Sequence, residues 1–177
     1  VTVTDKVNLV PGMEDGAPKA LGLARGDPDR VPIVETPLGR ACTLICYDGF
    51  CAPHTSHERF IPVPPHIARR GGVALVANPV ANPWPWLEAW PPPSLPEAEA
   101  ATGGTRAEQW RREGLPGSLR ETPFARWGVT AHLVGKILDL RFDGVSEIVE
   151  RDDREVRVLA QAPDHDRGGH VTATVTC

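Results

Sequence analysis

Cys46 closes a continuous apolar run, Arg40–Tyr47 (RACTLICY), and the turn-forming pair Asp48-Gly49 follows it almost at once. A thiol at the end of a buried strand is held by rigid backbone, and a neighbouring N–H can face a reacting carbonyl there. Such a cysteine needs a cation or N–H dipoles to favour the thiolate, and a base to take its proton. Lys6 and Glu14, eight residues apart near the start of the chain, are the upstream candidates for those tasks. The remaining cysteines are Cys42, Cys51 and Cys177. Cys42 lies four residues before Cys46, about 13 Å along an extended strand, too far for a disulfide. Three cysteines within ten residues make a poor disulfide framework and point to free thiols. Cys46 and Cys51 with His54, His57 and His66 match no standard structural zinc spacing, so no metal and no cofactor are expected. The histidines are expected instead to hydrogen-bond within the loop beside the cysteine.

The elements that must position these groups follow from the pattern. Val1–Val10 is short and apolar, a candidate strand ended by Pro11-Gly12. Val31–Glu35 and the RACTLICY run are strands joined by the turn Thr36-Pro-Leu-Gly39, and VALVAN (73–78) is a further buried strand. A helix is expected to end near Gly71-Gly72. Residues 79–96, dense in proline with Trp84, Trp86 and Trp90, read as a loop without regular structure. Thr105-Arg-Ala-Glu108 is a capping box opening a helix to about Arg112. WGVTAHLVG, ILDLRF, VSEIVE, VRVLAQA and HVTATVT read as strands, with a turn at 152–154. The last of these could serve as an edge for pairing between copies. One α/β domain over residues 1–177 accounts for the pattern.

With 177 residues, a net charge of −4 and 24% charged residues, the chain gives no reason to expect nucleic acid or an anionic membrane as partner. No apolar run approaches the roughly 18–20 residues of a membrane helix.

Leu44-Ile-Cys-Tyr-Asp-Gly-Phe50 resembles the nucleophile motif of the nitrilase superfamily of carbon–nitrogen hydrolases. Lys6-Val-Asn-Leu-Val-Pro11 resembles its lysine motif, and Glu14 falls where many members place a second, structural glutamate. Ala68–Pro79 and Phe142–Val149 resemble segments that follow the cysteine in that family. The resemblance implies an αββα sandwich and hydrolysis of an amide or nitrile through a thioester or thioimidate. Cys46 would be the nucleophile and Lys6 would stabilise charge developing on the substrate. The N–H of Tyr47 would be a second oxyanion donor, and Glu14 would orient Lys6 or hold water. Asp48, His54, Asn78 and Trp84 are the candidates for the substrate pocket, Asp48 also fitting a turn or supporting role. The family's first glutamate, its general base, belongs upstream of the lysine. The five residues before Lys6 contain no glutamate. The expectation is therefore an N-terminally incomplete sandwich, its base supplied by a missing segment or second chain. Expected partners are a small amide or nitrile and further copies of the chain, in the cytoplasm. The alternatives are a domain resembling apolipoprotein N-acyltransferases, outside the cytoplasm, and a non-catalytic scaffold. The pair Tyr47-Asp48 fits soluble amidases better than the Tyr-Glu usual in those acyltransferases.

Overall fold

Three parallel strands carry the centre of the molecule. They are β2 (Gly39–Thr43), β3 (Val73–Val80) and β4 (Ala125–His132), preceded by β1 (Ile33–Thr36). Two more, β7 (Glu147–Asp152) and β8 (Glu155–Gln161), complete a six-stranded mixed sheet of order β1-β2-β3-β4-β7-β8. Between β4 and β7 a small hairpin, β5 (Gly135–Ile137) with β6 (Leu140–Phe142), forms a separate two-stranded sheet. The helices are α1 (Pro64–Arg69), α2 (Arg106–Glu113) and α3 (Leu115–Glu121). This computed structural model describes residues 2–15, 21–91, 104–153 and 155–176. Cys177 and residues 92–96 of the proline-rich stretch lie outside them. No helix among the described residues is long and apolar enough to cross a membrane.

The register explains the core. Cys42, Val76, Gly128 and Val149 stand opposite one another across β2, β3, β4 and β7. Val76 and Val149 bury completely with Ile67 of α1 and Leu115 and Leu119 of α3. Gly128 makes the seat of α3: a Cβ there would stand 2.9–3.0 Å from Leu115, Leu119 and Val149 side chains. The opposite row, Thr43, Ala77, Val129 and Ile148, is only half-buried. One sheet with its helices is thus one α-and-β half of the expected layered architecture.

Four expectations change. Residues 2–10 join no ladder and the chain bends at Val7 and Asn8, whose N–H groups go to the Asp48 carboxylate instead. Strand β2 stops at Thr43, so Cys46 lies beyond it and no longer shares a strand face with Cys42. ILDLRF is split by a turn, with Leu138 at φ 56°, into the end of β5 and all of β6. Residues 170–176 form no strand. The capping box at Thr105 and Glu108 is present as expected. Helix α3 had no helical signal, since its sequence LPGSLRE carries both Pro116 and Gly117.

Candidate active site

Cys46 opens a short 3-10 turn, Cys46–Gly49, immediately past the carboxyl end of β2. Its φ is 52°, a left-handed value that L-residues rarely hold unless their surroundings enforce it. The surroundings here are specific. The Nδ2 of Asn78, on β3, donates to the carbonyls of Leu44 at 2.7 Å and Cys46 at 3.1 Å. Ser118 of α3 donates its hydroxyl to the carbonyl of Gly49 at 2.7 Å. Asp48 accepts from the N–H of Val7 at 3.0 Å and of Asn8 at 2.6 Å. Burial pushes the Asp48 carboxyl up to about 6, against those N–H donors. The turn is therefore fixed to the sheet, to a helix and to the amino-terminal segment at once.

That last attachment brings Lys6 to the cysteine. Pro11 and Gly12, the latter at φ 71°, turn the chain back, and the N–H of Glu14 bonds the carbonyl of Val10 at 3.0 Å. Glu14 thereby reaches Lys6, and its Oε2 accepts from Lys6 Nζ and from the N–H of Val10. Lys6, Glu14 and Cys46 line one cavity of about 860 Å³. Burial raises the Cys46 thiol above its ordinary range; the charge of Lys6, the N–H of Ala81 and the charge of Arg106 oppose that rise. The N–H of Tyr47 donates to no acceptor among the described residues.

The same cavity is walled by His54, Trp84 and Phe50. Tyr47 stacks on His54 with ring centroids 4.1 Å apart. Its hydroxyl donates to Glu58 at 2.8 Å and accepts from the N–H of His54 at 2.5 Å. Of the four expected pocket residues, His54 and Trp84 therefore face the cavity. Asp48 and Asn78 do not: both Asp48 oxygens accept from backbone N–H groups and Asn78 Nδ2 donates to backbone carbonyls behind the cysteine turn, while Asn78 Oδ1 has no hydrogen-bond partner among the described residues. Cys51 and the histidines do not converge. His66 bonds Asp29 at 2.7 Å, His57 is exposed, and the N–H of Cys51 bonds the carbonyl of Glu113. No group of three or more metal-ligating side chains is present among the described residues.

Two titratable cavity residues carried no sequence expectation. Arg106, the first residue of α2, and His132, the last of β4, both line it and both are buried. The capping box fixed the position of Arg106, but nothing in the sequence said which way its side chain runs. Burial, with the charge of Arg106, lowers His132 to about 3, and burial lowers Arg106 to about 9.

Comparison with protein-family models and with curated proteins found no match. Solved structures do match. The NitN amidase from Nesterenkonia sp. AN1 is 21% identical, with a TM-score of 0.52, over 92% of this chain and 47% of that one. A cysteine-to-alanine variant of that amidase in complex with butyramide is 20% identical, with the same TM-score of 0.52, over 92% of this chain and 46% of that one. A glutamate variant carrying acrylamide on its active-site cysteine is 21% identical, again with a TM-score of 0.52, over 92% and 47% of the two chains. That amidase is described as a nitrilase-superfamily member. The chain thus has the α/β fold of nitrilase-superfamily amidases and spans about half the length of the structures it matches, at 47%.

Proposed function

We propose that this chain carries the nucleophile side of an enzyme that cleaves a non-peptide carbon–nitrogen bond, in an amide or nitrile. The supporting observation is the gathering of Cys46, the Lys6–Glu14 pair and the unengaged N–H of Tyr47 about one cavity. In the proposed reaction the Cys46 thiolate attacks the carbonyl carbon, a C–S bond forms, and the carbonyl π electrons move onto oxygen. Lys6 Nζ and the Tyr47 N–H are the donors for that oxyanion. Its collapse breaks the C–N bond and the nitrogen leaves after taking a proton. Water then cleaves the thioester, releasing the acid and the thiol.

The thiol proton needs an acceptor. Glu14 is the one carboxylate lining the cavity among the described residues, and it is already committed to Lys6 and to the N–H of Val10. We assign the base to a carboxylate from the remainder of the fold, and Glu14 to orienting Lys6. Acylation of this chain by itself is then slow, and turnover of simple amides low. Likeness to an amidase whose cysteine takes up acrylamide, and another of whose variants binds butyramide, supports a small amide as substrate.

Site-resolved mass spectrometry after exposure to acrylamide and fluoroacetamide tests the nucleophile. Adducts are expected on Cys46 and are absent in Cys46→Ala. A folded protein in which Cys46 stays unmodified overturns the proposal. Rapid turnover by this chain would overturn only the placement of the base.

A further inference from the structure

Arg106 is 2% exposed, yet no carboxylate lies within ion-pair distance of it among the described residues. Its hydrogen-bonding neighbours are neutral. Nε donates to Asn82 Oδ1 at 3.0 Å, and Nη1 donates to Gln109 Oε1. Nη1 also stands 3.4 Å from Nε2 of His54, which burial and the charges of Arg106 and Lys6 keep unprotonated. Aromatic rings surround the guanidinium, with centroids 4.2 Å away for Trp90, 5.0 Å for Trp84 and 5.4 Å for Trp110. Nη2 has no hydrogen-bond partner among the described residues.

This arrangement is expensive unless something completes it. Taking a charge out of water is costly, and neutral acceptors with ring faces offset only part of that cost. The other cavity cation is already neutralised, since Lys6 is paired with Glu14. With the thiol protonated, the cavity therefore holds one positive charge in excess. A guanidinium clamped along two of its nitrogens by amides, with the third left over, is oriented to receive a planar anion. The apolar rings about it would pack the methylenes of a short chain between the anion and the thiol.

We propose that Arg106 is the anion anchor of this pocket and that the substrate's acyl portion ends in a carboxylate, as in the monoamide of a short dicarboxylic acid. This rests on the amide-cleaving function proposed above and specifies its substrate. The amide carbon would lie at Cys46 between Lys6 and the Tyr47 N–H, and the far carboxylate would lie on Arg106.

The test is protection of Cys46 against iodoacetamide, followed by mass spectrometry on the whole chain. Succinamate, glutaramate and adipamate are compared with their neutral counterparts butyramide, pentanamide and hexanamide. In the native protein at least one anionic amide is expected to half-protect at about tenfold lower concentration than its neutral partner. In Arg106→Gln that ratio is expected to fall to about one. Should Arg106→Gln fail to fold, Gln109→Glu serves, because it sets an internal carboxylate beside the guanidinium and must erase the preference with Arg106 retained. Equal or better protection by the neutral amides in the native protein overturns the anion anchor alone. A preference that survives in both variants also overturns it. If no amide of either kind protects Cys46, the anchor falls together with the amide pocket; the adduct experiment on Cys46 then decides separately whether the nucleophile stands.

Discussion

At Cys46 two influences compete for one proton. Burial favours the neutral thiol, whereas Lys6, the Ala81 N–H and Arg106 favour the thiolate, and burial is the larger. Alkylation of Cys46 is therefore expected to keep rising with pH through and beyond the ordinary thiol range near 8.5, with no plateau at neutral pH. Replacing Lys6 with Met removes the largest of the opposing influences and raises the thiol further. At pH 8 the iodoacetamide rate constant at Cys46 should fall by roughly tenfold for each unit of that rise. An unchanged rate in a folded Lys6→Met protein would mean the cation does not act on the sulfur. The meeting of Cys46, Lys6 and Glu14 at one cavity was legible because each sits in a short run of neighbours whose order carries meaning. Arg106 was not, since a lone arginine in a helix gives no sign of its burial. Asp48 was half legible: a turn aspartate was evident, but its hold on Val7 and Asn8, some forty positions earlier, is a contact no local pattern encodes.

Among the elements, α3 packs onto β4 at Gly128, where there is no room for a side chain. Gly128→Ala would press its methyl into Leu115 and Leu119, the buried face of α3, and into Val149. Its cost should be about 1–3 kcal/mol, read as a lower denaturant midpoint at unchanged slope. Because Ser118 on α3 holds the Gly49 carbonyl, displacing the helix also loosens the cysteine turn from one side. The strands from β1 to β4 and from β7 to β8 followed from apolar runs and turn residues. Helix α3 did not, because its stability comes from burying Leu115 and Leu119 rather than from propensity. The N-terminal segment misled for the opposite reason. Its residues suit a strand, but side chains captured its N–H groups before any ladder could.

For the whole molecule, the buried histidines set a dependence on acid. His132, folded, takes its proton only near pH 3, whereas the unfolded chain takes it near 6.5. Below about pH 6.5 the unfolded state thus binds one more proton at this position, and stability falls as pH falls. Asp48, raised to about 6 in the folded state, works in the opposite direction between about 6 and its ordinary value. Comparing slopes isolates the histidine. Between pH 6.5 and 5, the native protein should lose on the order of 1–2 kcal/mol more than His132→Gln, by chemical denaturation at each pH. Parallel stability profiles for the two proteins would show that His132 is protonated alike in both states. The variant itself starts lower, since it gives up ring contacts with Trp86 and Trp110.

The stretch bearing Lys6 is fastened by the Asp48 carboxylate, by the Asn8 side-chain amide paired with Ile61, and by the Lys6 carbonyl on the N–H of Gly26, not by sheet hydrogen bonds. Val7, Asn8 and Leu9 are buried as well, and Val7 packs in the same core as Ile67 of α1 and Leu115 of α3, so the docking of this segment is coupled to the packing of the sheet's helical face. The cation's place beside the sulfur is therefore held by the core itself, not by a strand ladder. Whatever loosens that core also moves the charge of Lys6 away from the Cys46 thiol.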